Sequence, residues 1–158
     1  MFNINDTLAA AAANGVRTAL NGGTLFMFSG NPPSDPNAAL DMASTHTQVA
    51  AISAGGGGLN FDTAIDEFLY KAASETWAGL VAFEGAKAAQ TTLTPTFFRF
   101  CPAGDNGRTA GTGPRLQGTI SGPAGNGDVK LATATVTANG SNEVGLAGFY
   151  MQIVNLAS

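Results

Sequence analysis

Turn signals recur along most of this chain at intervals too short for helices. Five Asn-Gly pairs occur in 158 residues, and three of them, Asn106-Gly107, Asn126-Gly127 and Asn139-Gly140, punctuate the C-terminal half. Asn and Gly both tolerate the positive φ that tight β-turns demand, so each pair predicts a reversal between strands. The intervening runs are short and apolar or alternating: Thr24 to Phe28, Thr47 to Ile52, Glu67 to Ala72, Gly79 to Phe83, Thr96 to Cys101, Arg115 to Ile120, Asp128 to Thr137 and Val144 to Val154. About eight such strands predict an all-β fold, a jelly-roll-like β-sandwich.

Only the start of the chain differs. Alanine has the best helix propensity, Asp6 or Thr7 can cap, and Asn14-Gly15 or Asn21-Gly22 can stop a helix, which predicts one over Thr7 to Leu20 with Gly15 as a point of breakage. The expected organisation is an N-terminal helix or arm, 1–22, and a single sandwich domain, 23–158.

Strand phase says which faces need cover. Arg115, Gln117 and Thr119 alternate with Leu116, Gly118 and Ile120, the pattern of a strand with one wet face. Thr24 to Phe28 and Gly145 to Val154 are apolar on both faces and so need a second sheet, the helix or another subunit on each side. The apolar phase shifts within Val129 to Val136, which predicts a bulge or corner near Ala132. Two long connections, Gly30 to Thr45 and Cys101 to Pro114, are rich in Gly, Pro, Asp and Asn; loops of that length in a small domain predict contact with partners.

Charge narrows the function classes. The net charge is −4, charged residues are 11% of the chain, and the seven basic residues are spread from Arg17 to Lys130, so nothing resembles the clustered cations that phosphate backbones require. No nucleic-acid partner is expected. A largely uncharged surface on a chain that is 44% apolar suits lateral packing. Met1 to Asp6 carries no basic group and Asn14 and Arg17 interrupt the apolar run, so neither a signal peptide nor a membrane span is expected. The lone Cys101 cannot close a disulfide within the chain, which points to assembly in a reducing cytoplasm.

Candidate chemistry is sparse. Gly55 to Gly58 lacks the Lys-Ser/Thr of a phosphate loop, and Gly104 to Gly113 lacks dinucleotide spacing. Among Asp62, Asp66, Glu67, Glu75 and Glu84 no pair is nominated for general acid and base work, and Asp105-Asn106-Gly107 is only a fragment of a calcium loop. His46, the sole histidine, reads as a surface residue in a polar stretch, and Cys101 as a buried, inert thiol. Trp77, Tyr70, Phe83, Phe97, Phe98 and Phe100 read as core at strand spacing. Arg99, set among phenylalanines, needs partners and reads as either a structural anchor or a subunit contact. The expectation is a protein that is not an enzyme, with no catalytic residue, metal or cofactor.

Two stretches resemble a group of small tailed-bacteriophage virion proteins. Gly22-Gly23-Thr24-Leu25-Phe26-Met27-Phe28-Ser29-Gly30-Asn31-Pro32-Pro33 is similar to that group's opening of paired glycines, strand and Gly-x-x-Pro. Pro95 to Phe100, Arg115 to Gly122 and Asp128 to Leu131 are similar to its ending of Phe-Arg, glycine-rich turn, Gln-Gly-Thr, glycine and Asp-x-x-Leu. The resemblance implies a head decoration, or cement, protein, made in the host cytoplasm and bound to the outside of the virion head. Its partners would be the major capsid protein and other copies of itself, as dimer or trimer. Phe2, Ile4, Leu8, Pro32, Pro33, Arg99 and Arg108 are the expected contact residues. The alternative is a tail or fibre-associated binding module that uses Trp77 and the long loops.

Overall fold

A computed structural model describes residues 6–62 and 68–152. The alanine-rich start forms helix α1, Asp6–Leu20, which runs through Gly15 without a break. The turn that follows it falls at Asn21-Gly22, where the Gly22 φ of 76° is open to glycine at no steric cost. The rest is β-structure: β1 (Thr24–Ser29), β2 (Thr47–Ala54), β3 (Phe68–Tyr70), β4 (Trp77–Gly85), β5 (Thr92–Leu93), β6 (Phe97–Cys101), β7 (Leu116–Ser121), β8 (Val129–Lys130), β9 (Val136–Thr137), β10 (Glu143–Leu146) and β11 (Tyr150–Gln152). This is the predicted all-β, sandwich-like class with a short N-terminal helix.

The strands divide unequally. Seven form one sheet in the order β10-β4-β2-β1-β6-β7-β8, while β11 pairs with β3 and β5 with β9. Neighbours in the large sheet are antiparallel except β7 and β8. The sheet curls. Val144 and Leu146 at one edge share a core with Ile120 and Val129 at the other, around Leu25, Met27, Ile52, Trp77, Phe98 and Phe100. Ala13 and Leu20 of α1, with Leu59, Phe61, Leu69 and Phe149, close over this inner face. Rings of Phe61, Trp77, Phe100 and Phe149 meet there at centroid distances of 5.2 to 6.2 Å, a span that favours tilted and offset arrangements.

Two predicted strands are interrupted. Asp128 to Thr137 splits into β8 and β9, and the phase shift near Ala132 marks the chain leaving the sheet. Val144 to Val154 splits into β10 and β11 at Ala147-Gly148-Phe149; its last two residues, like Glu67 at the start of another predicted strand, lie outside the described residues. The short β5 has no counterpart in the expectations. Gly55-Gly56 forms the tight reversal after β2, with φ of 61° and 87° and a reciprocal pair of hydrogen bonds between Ala54 and Gly57.

Both faces of β1 and β6 are covered by the chain itself. Their inner residues enter the main core, while Phe28 and Phe97 on the outer face stack at 5.1 Å beneath Leu40 and Met42 from the loop after β1. The cover demanded by Thr24 to Phe28 is therefore a loop and the inner layer, with no subunit needed there.

Candidate functional site

The two long loops lie together on the outer face of β1, β6 and β7, tied to one another by backbone bonds. Leu40 N donates to Arg108 O at 2.8 Å and Gly111 N to Asn37 O at 3.0 Å. Polar side chains from the sheet hold them from below.

Arg99 of β6 is wholly buried. Its Nε donates to Gln117 Oε1 at 2.9 Å, and its Nη1 to Ala38 O at 2.9 Å and Gly107 O at 2.8 Å. Gln117, opposite it on β7, donates from Nε2 to Pro33 O at 2.7 Å. Gly107 brings its carbonyl under Arg99 through a φ of 67°, and a Cβ there would stand 3.0 Å from the Phe26 ring and 3.2 Å from Cys101 Sγ. The Asn106-Gly107 pair read as a turn is also a close approach.

Arg115 braces the same loops from the rim. Its Nε and Nη2 grip the two carboxylate oxygens of Asp105 at 2.7 Å each, Nη1 reaches Pro36 O at 3.2 Å and Nη2 also reaches Thr109 O at 2.9 Å. The Arg115 side chain is 1% exposed, so this fork is shielded from solvent. The hydrogen bonds from Arg115 hold Asp105 below the usual carboxylate range, against the upward push of burial. Burial, then the neighbouring Arg115, lowers the Arg99 pKa; the bond to Asp105 raises that of Arg115.

Further anchors complete the platform. His46 is half-buried and held at both ring nitrogens, its Nε2 2.8 Å from Asn31 O and its Nδ1 2.8 Å from Thr45 Oγ1, with its edge on Phe97 at 5.9 Å. It lies in the polar stretch expected, partly exposed, and also fastens the loop. Arg108 pairs with Glu84 at the end of β4.

The expected contact residues therefore separate into groups. Pro32, Pro33 and Arg108 stand on the loop platform, with Pro32 exposed. Arg99 lies under it, out of reach of a partner, and is the structural anchor of the two readings offered for it. Leu8 is 55% exposed on α1, whose buried residues pack on the inner side of the sheet, so the fold does not bring it to the platform. Phe2 and Ile4 lie outside the described residues. Gln117, Arg115 and Asp105 were missed. Gln117 and Arg115 were read as the wet face of β7; the register that sets Gln117 across from Arg99, with Arg115 two residues before it, belongs to the fold and not to the local sequence.

Other candidates are occupied or hidden. Trp77 is wholly buried and offers no stacking surface to a sugar. Glu75 accepts from Trp77 Nε1 at 2.6 Å, Asn60 N at 2.9 Å and Asn60 Nδ2 at 2.7 Å. Burial raises the pKa of Glu75, but these bonds and Lys71 together hold it below the ordinary value. Burial pushes the Cys101 thiol up to about 12. Asp66 and Glu67 are outside the described residues, among which no group of three or more His, Cys, Asp and Glu is placed to hold a metal ion. No described helix is long and apolar enough to cross a membrane. Comparison with family models, with curated proteins and with solved structures finds no match to the chain.

Proposed function

We propose that this chain is a bacteriophage head decoration protein, a binding rather than a catalytic module, that clamps neighbouring major capsid subunits from outside the shell. The observation that carries the reading is the loop platform. Two loops totalling much of the chain's irregular structure are pinned by a buried arginine, a glutamine and a shielded ion pair, with exposed Pro32, Ser34, Thr109 and Pro114 uppermost. A platform ordered before contact loses little conformational entropy on binding. The virion-protein resemblance supplies the context, and the low surface charge suits packing among many copies, with self-association as dimer or trimer around a local symmetry axis. Each contact need contribute only a few kcal/mol, because binding that favours the assembled shell stabilises it by mass action.

The test is cosedimentation of purified protein with expanded empty shells of the parent particle, together with the melting temperature of those shells. Binding with a raised shell melting temperature supports the reading; neither effect refutes it. Labelling of the tail in immuno-electron micrographs would move the protein to the tail instead, although of the features that alternative uses, Trp77 is wholly buried and only the long loops are left to make contact.

A further inference from the structure

The curled sheet brings its two edges to one open groove of about 1000 Å³, lined by Val129 and Lys130 of β8, Gly145 and Leu146 of β10, and Phe98 and Phe149 between them. That volume is at the top of the roughly 300 to 1,000 Å³ typical of small-ligand pockets. The chain partly fills the seam beyond it, where Leu131 to Val136 passes close to β10.

Strand register shows what the groove presents. Leu131 N donates to Ser121 O, and Val129 pairs with Ile120, so the amide and carbonyl of Lys130 point away from β7. On the other rim Val81 N donates to Asn142 O and Val144 pairs with Gly79, which turns the backbone of Gly145 away from β4. The groove is thus flanked by outward-facing backbone groups on both sides, over a floor of apolar rings. Of the charged groups at its rim, Asp128 is turned onto Thr119 N and Oγ1 at 2.7 and 2.8 Å, and Lys71 onto the carbonyls of Ala72 and Glu75. Lys130 is exposed and has no ion-pair partner among the described residues.

We propose that this seam receives an extended peptide segment of a partner protein, apolar at alternate positions and carrying a carboxylate beside Lys130. An extended backbone answers the outward-facing groups of both rims as an added strand, alternate side chains reach Phe98, Leu146 and Phe149, and the acid meets the exposed lysine. The inference rests on the function proposed above, which makes the segment part of a capsid subunit.

Gly148 allows a clean test, since a Cβ built there meets nothing within 4 Å. Native protein, Gly148→Trp and Lys130→Glu are each cosedimented with expanded empty shells, after their own melting temperatures are compared. Gly148→Cys, labelled with a thiol-directed photo-crosslinker, then reports the occupant, because Cys101 is buried. The expected result is native binding, about tenfold weaker binding by both groove variants at unchanged melting temperature, and a cross-link to a capsid segment. Equal binding by native protein and variants, or a cross-link to a second copy of this chain, overturns the groove inference alone. Absence of native binding overturns it together with the decoration reading.

Discussion

Arg99 and Gln117 face each other across β6 and β7, joined by a 2.9 Å hydrogen bond, and each holds a different stretch of loop. Arg99 takes the carbonyls of Ala38 and Gly107, and Gln117 takes that of Pro33. One cross-strand pair thereby fixes both loops of the platform.

Removing Arg99 leaves three acceptors without their donor. Arg99→Met is expected to lower the unfolding free energy by about 3 kcal/mol, and Gln117→Leu by about 1 to 2 kcal/mol, since buried groups left unpaired carry their full desolvation cost. Urea unfolding of both single variants and the double variant checks this. The double variant should cost less than the sum, because the two share one bond.

The acid limb of stability follows from three carboxylates. Asp105 is held below its ordinary pKa by Arg115, Asp128 by the Thr119 amide and hydroxyl, and Glu75 by bonds from Asn60 and Trp77 that outweigh its burial. Each folded value lies below the unfolded one, so the folded state binds fewer protons. The stability they contribute is complete above the unfolded values, about pH 4, and is lost as pH falls through the folded values. Asp105→Asn should be about 2 kcal/mol less stable than native at neutral pH, and the gap should narrow as pH drops. Thermal scans from pH 7 to pH 2 test both the slope and its change.

The Cys101 thiol, raised to about 12 and buried, should remain unmodified by thiol reagents at pH 8 in the native protein and react with one equivalent after denaturation. Native Cys101 reacting at the rate of a free thiol would contradict its placement behind Gly107.

Glycine at position 79 is a matter of space. A Cβ there would stand 2.1 Å from Ala51 O on β2, a backbone atom that cannot yield without breaking the sheet. Gly79→Ala is expected to abolish folding or cost more than about 3 kcal/mol, while Gly148→Ala should be near neutral. Circular dichroism and thermal melting separate the two.

Much of the fold could be read in advance, because turn residues and apolar runs are local signals. The helix, β1, β2, β6 and β7 fall within one or two residues of expectation. The corner near Ala132 was signalled by the shift of apolar phase, but the break at Ala147 escaped, since an unbroken apolar run does not say where the chain leaves one sheet for another layer. The loops were expected to matter, but their fastenings were not visible. Arg115 and Gln117 alternate as solvent-facing residues do, and it is the return of residues 30–46 over β7, together with the loop carrying Asp105 and Thr109, that turns that polar face inward. Arg99 carried the opposite signal, a charge within an aromatic strand, and the choice between anchor and contact depended on which segment covered it.

The fastening of Pro33 by Gln117 links residues 84 positions apart, and that of Ala38 by Arg99 links residues 61 apart. Ties of such reach close only after the intervening strands are paired, because their loop-closure entropy must first be met. The platform is consequently expected to be among the last parts of the molecule to assemble. A half-folded copy would carry the paired strands without the ordered platform, so any contact that depends on these loops would be open only to fully folded copies.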